Sequence, residues 1–589
     1  MAPAGGTTAQ FDSAALTRRQ ELSGATGPLA LLKNLKVFGI ACFACLGGLL
    51  YGYNQGVFSG VLTMNSFDRT LPDWTGDENS TKMGWLTSIL ELGAWFGTLY
   101  SGFLAEVLSR KHTILINVGI FVVGVIIQTT AAAGGIQHSV LGGRFITGMG
   151  VGALSMVVPM YNAEIAPPEV RGALVGLQQL SITLGIMVSF WIDYGCNYIG
   201  GTGDGQHQAA WLLPLSLQVV PAVLLGVGMV FMPFSPRWLV HHEKEPEARR
   251  VLAQLRSLPQ DHELIELEFA EIRAQSLFEK RTLAEKFPHL SQPTAWNVFK
   301  LQVTLISRIL IFSVLICHRQ WVAIGSLFQS KPMFYRVICA TVTMFFQQWT
   351  GINAILYYAP QIFNKLGMSS NSVSLLATGV VGIVMFLATI PAVMYVDKLG
   401  RKPVLIVGAI GMATCHIIIA VIVAKNQDDW PSHRAAGWAA VVMVWLFVVH
   451  FGYSWGPCAW ILIAEIWPLS NRPYGIALGA SSNWMNNFII GQITPDMLTG
   501  ITYGTYIFFG LLTFGGAAFI YFVVPETKEL TLEEMDILFG SEGTAEADKE
   551  RMREVNRQVG LDNFVRSQSV DAATVEKEEV LDEKRDVSG

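Results

Sequence analysis

Charge is scarce in this chain. Asp, Glu, Lys and Arg make up 14% of its 589 residues, whereas 51% are hydrophobic, and that shortage excludes a soluble multidomain enzyme, in which about a quarter of residues are charged. Cysteine is scarce as well: seven cysteines, most of them inside apolar runs, support no disulfide framework. Cys42 and Cys45, although spaced as C-x-x-C, read as small packing residues of an apolar helix. No nucleophile constellation, metal-ligating cluster or phosphate-cradling loop is legible outside the apolar runs, so the chain is expected to be no enzyme and to hold neither cofactor nor metal. The net charge of −5 comes largely from the C-terminal stretch and gives no argument for a nucleic-acid partner. The first 34 residues show no charged start leading into a short apolar core, so no removable signal peptide is expected.

What the chain has in quantity is apolar runs of membrane-crossing length. A span needs about 20 mainly apolar residues, and such runs stand near 35–62, 83–107, 113–133, 138–166, 171–193 and 210–232, then near 334–363, 373–396, 403–424, 436–464, 472–492 and 503–524. They predict an all-α membrane protein of twelve transmembrane helices in two pseudo-symmetric six-helix halves, embedded in a lipid bilayer. The halves share punctuation: Arg171 follows Glu164 by seven residues as Arg472 follows Glu465, and Arg110-Lys111 ends one run as Gly400-Arg401-Lys402 ends another. Duplication of this kind marks a transporter that rocks around a central site. The Lys and Arg residues of the short loops all fall on one side, which places both termini in the cytoplasm, with the plasma membrane as the expected location.

The organisation read from composition is a cytoplasmic tail at 1–34, a first half at 35–232, a linker of short amphipathic helices at 233–333, a second half at 334–524 and a largely disordered cytoplasmic tail at 525–589. Residues 303–320 interrupt this symmetry with an apolar run too short to span. Two readings stand: a translated intron, since removing these residues rejoins Gln302 to Trp321 in frame, or a helix on the membrane surface. Sequencing the transcript separates them.

Carboxamides recur at membrane depth, where an unpaired polar group is costly: Gln179 in the fifth run, Gln347, Gln348 and Asn353 in the seventh, Asn483 and Asn487 in the eleventh. An amide both donates and accepts, as a sugar hydroxyl does, and the lack of Lys or Arg in the cluster argues for a neutral solute. Trp460 and Trp484 offer flat apolar faces to a sugar ring.

Several strings together resemble the sugar porter family of the major facilitator superfamily, in particular its fungal-type hexose transporters. They are Gly52-Tyr53-Asn54-Gln55-Gly56-Val57, Gly143-Arg144 with Gly148, Gly150 and Gly152, Pro159-Met160-Tyr161 with Glu164 and Arg171-Gly172, Ser235-Pro236-Arg237-Trp238-Leu239, Gln347-Gln348 with Gly351-Ile352-Asn353, and Pro525-Glu526-Thr527-Lys528. The resemblance covers residues 35–535. It implies the major facilitator fold, a substrate site containing the six amides and Trp460, and a cytoplasmic gate network of Arg110, Glu164 and Arg171 with Arg401, Glu465 and Arg472. The chain departs from the family pattern at Glu106, Val107 and Ser109, which replace an Asp, a basic residue and a Gly, and at Phe234, which replaces a Glu. It departs also from the glucose uniporter branch at Met385 and Gly452, in place of an Asn and a Glu.

Proton-coupled members of the resembled family pair an Asp in the first span with an Arg in the fourth. Here the position is Asn54, while Arg144 is retained. The reading favoured is therefore transport of a monosaccharide, a hexose, by alternating access as facilitated diffusion. Glu91, a carboxylate inside the second run, stands against it; it could instead pair with Arg144 or face a water-filled vestibule. Proton-coupled sugar symport, a polyol or quinate porter and a non-transporting sugar sensor remain the alternatives.

Overall fold

In the computed structural model, residues 35–130, 138–166, 171–286, 330–368, 371–468, 472–528 and 542–561 are described, with positions 325, 327, 328, 535 and 538–540. Residues 303–320, and with them the choice between intron and surface helix, lie outside the described residues.

Among the described residues the chain is all-helical, and twelve spans form two halves of six. Spans 1 to 6 are Leu35–Val61, Ser80–Val107, Arg110–Thr129, His138–Ile165, Arg171–Cys196 and Ala209–Phe231. Span 7 is Lys331–Trp349 continued by Ile352–Lys365, and spans 8 and 9 are Asn371–Leu399 and Arg401–Asn426. Span 10 is Arg434–Tyr453 continued by Trp455–Glu465, and spans 11 and 12 are Arg472–Gly500 and Gly504–Phe522. Eight of them are long and apolar enough to cross a bilayer by length and composition alone. The other four, spans 2, 5, 7 and 11, carry Glu91, Gln178, Gln179, Asp193, Gln347, Gln348, Asn353, Asn483, Asn486 and Asn487. Span 2 lies along span 11, span 5 along span 8 and span 7 beside span 1, so these polar helices meet partners of the opposite half. Their polarity is turned inward, away from lipid.

Close approach of backbones holds spans 2 and 4 of the first half together. Gly148 and Gly152 of span 4 meet the Leu90 and Ala94 carbonyls of span 2, while Gly93 and Gly97 of span 2 meet the Phe145 and Met149 carbonyls of span 4, with no room for a methyl at any of the four. Lipid tails give helices no hydrophobic reason to associate, so such backbone contact supplies the attraction.

Two spans are broken beside the interior. Gly351, at φ +88°, separates the two helices of span 7, and His416 of span 9 bonds the freed Thr350 carbonyl through Nε2 at 2.9 Å. Ser454, at φ −120° and ψ −88°, breaks span 10. Each break frees backbone polar groups that a side chain then satisfies.

Between the halves lie helices Pro236–His241, Glu245–Arg256 and Glu263–Lys286, which share a small core of Trp238, Leu239, Leu252, Ile265 and Phe269. Trp238 Nε1 donates to the Glu106 carbonyl at 3.0 Å, which seats this linker against one face of the membrane domain. A C-terminal helix, Glu542–Val559, packs on Glu263–Lys286 through Val555, Leu561, Ala270 and Ala274, and Arg551 donates to the Thr282 hydroxyl at 3.3 Å. Within the tail expected to be largely disordered, residues 542–559 are helical, since a few apolar residues suffice when another helix receives them, whereas residues 562–589 lie outside the described residues.

Candidate functional site

The amides of span 7 reach inward from both sides of its break. Gln347 Nε2 donates to the Trp455 carbonyl at 2.8 Å, at the start of the second helix of span 10, and Asn483 Nδ2 of span 11 donates to Gln347 Oε1 at 2.6 Å. Asn353 Nδ2 donates to Gln348 Oε1 across the break itself. Gln179 of span 5 is half-buried opposite Gly456. Five of the expected site residues, Gln179, Gln347, Gln348, Asn353 and Asn483, are thus gathered around the two broken spans.

Asn487 belongs to a neighbouring cluster. Its Nδ2 donates to Glu91 Oε2 at 3.2 Å, and its Oδ1 accepts from the Tyr357 hydroxyl at 2.9 Å. Trp484 is fully buried and lies 5.1 Å, centroid to centroid, from Tyr51 of the first half. Trp460 is half-buried against the core of the second half. Asn483 Oδ1, Trp484 Nε1 and both amide atoms of Gln178 are buried without a protein partner. Buried polar atoms left without a partner can take hydrogen bonds from a guest.

The coupling positions do not pair as the sequence suggested they could. Arg144 donates to the Thr87 carbonyl at 3.0 Å and lies 3.8 Å over the Phe58 ring, while Glu91 is bonded by Tyr357 and Asn487. Asn54 turns back on its own helix, donating to the Leu50 carbonyl at 2.9 Å.

At the linker face each half carries its own cluster. Arg110 Nε and Nη2 meet Glu164 Oε1 at 3.0 and 2.7 Å, and Ser235 donates its hydroxyl to Glu164 Oε2. In the second half Arg401 Nη2 meets Glu465 Oε1 at 2.6 Å, and the Thr527 hydroxyl donates to Glu465 Oε2 at 2.6 Å. Glu526 receives the backbone N–H groups of Arg401 and Lys402 at 2.9 and 3.0 Å. Arg472 is half-buried at the start of span 11, whereas the Arg171 side chain lies outside the described residues.

The departures at this face have local explanations. Ser109 sits at φ +106°, a region that suits glycine, and compensates by capping span 3 at the His112 N–H. Phe234 lacks a carboxylate but places its ring 4.9 Å from Lys111 Nζ.

Sequence reasoning missed Tyr357, Gln55, Gln178, Asp193, Ser235 and Thr527 as polar participants. Ser235 and Thr527 had a signal, since each lies just beyond the last span of its half, in strings already singled out. Asp193 had one too, as a carboxylate within an apolar run.

The profile described as "Sugar (and other) transporter" matches residues 40–324 and 318–539. The chain belongs to the sugar porter family of the major facilitator superfamily. A protein named as a probable quinate permease of Aspergillus fumigatus is 31% identical over 515 residues, covering 86% of this chain and 88% of the relative. The major facilitator-type transporter ecdD of Aspergillus rugulosus is 33% identical over 522 residues, covering 85% of this chain and 86% of its own. Among solved structures, the inward-open xylose transporter XylE from E. coli matches with a TM-score of 0.64 at 25% identity, covering 85% of this chain and 99% of that one. A structure titled as the proton:xylose symporter XylE bound to 6-bromo-6-deoxy-D-glucose matches with the same TM-score at 26% identity and the same coverage. This sugar porter is a multi-pass membrane transporter and not an enzyme.

Proposed function

We propose that this transporter moves a small, neutral, polyhydroxylated ring solute, a hexose in the first instance, by alternating access. One observation carries the reading: the amide relay from Asn483 through Gln347 to the Trp455 carbonyl joins span 11 to the broken spans and leaves Asn483 Oδ1 without a partner. A hydroxyl that both gives and accepts matches such a group, because it replaces on arrival the bonds it loses on leaving water. Gln179, Gln348, Asn353, Asn487, Trp460 and Trp484 complete the proposed site. The ligand in one solved relative, a halogenated deoxyglucose, is of the same class.

The linker face is proposed to be cytoplasmic, since Arg110, Lys111, Arg401, Lys402 and Arg472 lie there. The clusters around Glu164 and Glu465 are proposed to hold that face through part of the cycle, with Arg171 as a further member.

A second reading has a specific ground. Several relatives are named quinate permeases, and quinate offers ring hydroxyls together with a carboxylate. A competition panel of unlabelled hexoses, polyols and quinate against labelled glucose in reconstituted vesicles tests both. Competition by hexoses with no competition by quinate supports the neutral solute; the reverse order replaces it. A sugar sensor with the same fold would bind without flux.

A further inference from the structure

Glu91 is 1% exposed at the middle of span 2, and the groups around it come from four other spans. Span 1 contributes Gln55 and Tyr51, span 4 Arg144, span 7 Tyr357 and span 11 Asn487. Glu91 and Gln55 belong to the first half, Tyr357 and Asn487 to the second. Their bonds sit among others that join the halves on the face opposite the linker, from Ser80 and Thr81 with Asp496 to Ser88 with Gln492.

Counting hydrogens exposes a shortage. The Tyr357 oxygen has three acceptor oxygens around it: Gln55 Oε1 at 2.6 Å, Glu91 Oε1 at 2.8 Å and Asn487 Oδ1 at 2.9 Å. A phenol has one hydrogen to give. With an ionised Glu91, two of the three oxygens face Tyr357 with nothing between. Turning the Gln55 amide end for end supplies one of the missing hydrogens, because its Nε2 has no partner where it lies, but one contact stays bare while Glu91 is ionised. A hydrogen on Glu91 then closes the count: the carboxylic acid and the turned Gln55 amide donate to the Tyr357 oxygen, and Tyr357 donates to Asn487.

From this geometry we propose that Glu91 is the proton-carrying group of the transport cycle, so that solute and proton cross together. The proposal rests on the transport reading above. When the face opposite the linker opens, Tyr357 and Asn487 leave Glu91, the carboxylate meets water on that side and takes a proton from it. Closure requires that proton, because only the acid completes the bonds around Tyr357. Once the interior opens to the linker face, the acid returns its proton to water there, helped by the positive charge of Arg144. Asn54, an amide, has no proton to exchange. Asp193, also buried, has both oxygens unpartnered and packs against Gly60 within its own half, so its titration touches no bond between the halves.

The test uses the full-length protein in liposomes with labelled D-glucose and labelled quinate as probes. Counterflow, which needs no net proton movement, reads transport alone. Wild type is expected to show counterflow and solute-induced alkalinisation of the medium. It is also expected to accumulate solute up to about tenfold per imposed pH unit, and to lose that accumulation with a protonophore. Glu91→Gln is expected to lose alkalinisation and accumulation while some counterflow persists, and Asp193→Asn to keep both. Wild-type counterflow without alkalinisation overturns the proposal and leaves the transport reading standing. Accumulation by Glu91→Gln overturns it as well. If Glu91→Gln does not fold, Tyr357→Phe reads the same bonds: its uptake midpoint is expected to move by about one pH unit, and an unmoved midpoint overturns the proposal. Absence of counterflow with both probes in wild type overturns the transport reading and this one with it.

Discussion

Ser235 donates its hydroxyl to Glu164 as Thr527 donates its own to Glu465, so each half completes its Arg–Glu pair with a hydroxyl from the segment that follows its last span. The pairs Arg110–Glu164 and Arg401–Glu465 are largely buried, where a carboxylate left short of partners is expensive. A hydrogen bond to a charged group contributes about 1.5–3 kcal/mol. Ser235→Ala and Thr527→Ala are therefore expected to change turnover several-fold while KM stays within about twofold. The two effects should add in the double variant, since the hydroxyls serve separate carboxylates. Initial-rate kinetics in liposomes check this, and a change confined to KM contradicts it.

The substrate amides should behave in the opposite way. Gln348→Ala, Asn353→Ala and Asn483→Ala each remove a group proposed to exchange its internal bond for one to the solute. Each is expected to raise KM by roughly tenfold, equivalent to about 1.4 kcal/mol, with a wild-type elution profile in detergent. Unchanged kinetics in all three would remove these residues from the site.

Much of this was legible in the residues themselves. Repetition of Glu164–Arg171 as Glu465–Arg472 announces two halves, and the amides at membrane depth announce a polar centre. Which polar groups meet was not legible. Asn487 and Asn483 are one helical turn apart on span 11, yet one bonds Glu91 of the opposite half and the other Gln347 of its own. Helix rotation and the breaks at Gly351 and Ser454 decide that, and no periodicity encodes it. In the sequence Tyr357 is one more aromatic of span 7, whereas in the structure its hydroxyl lies among three oxygens. The helix Glu542–Val559 was hidden for a different reason: its composition is too polar to fold alone, and the linker helix that receives it lies far away in sequence.

Backbone contact between spans 2 and 4 makes a stability prediction. Gly148→Leu and Gly152→Leu would each drive a side chain into a span 2 carbonyl, and neither helix can shift without parting from the other. Both are expected to abolish monodisperse protein in detergent. Gly142→Leu of the same span, where nothing stands within 4 Å, should be tolerated. Equal behaviour of the three variants would contradict the packing argument.

Linker stability should depend on pH through His241. Burial holds its imidazole below the ordinary histidine range, and the ring lies 3.5 Å from the Ser276 hydroxyl of the long linker helix. As pH falls through about 6.5, the unfolded linker binds a proton that the folded linker refuses, so stability is lost on acidification and is whole at higher pH. Hydrogen-exchange protection in the linker, referred to the intrinsic amide rate at each pH, is expected to fall from pH 7.5 to pH 5.5 in wild type and to change less in His241→Gln. Equal pH dependence in both would assign the effect to other groups.

Flux in purified proteoliposomes tests the central claim most directly: two pseudo-symmetric halves carry a hydroxylated ring solute past an uncharged amide centre. Saturable entry of labelled glucose, competed by unlabelled hexoses and weakened by Asn353→Ala, is the predicted result. Protein that binds such solutes yet moves none of them, neither sugar, polyol nor quinate, would contradict it.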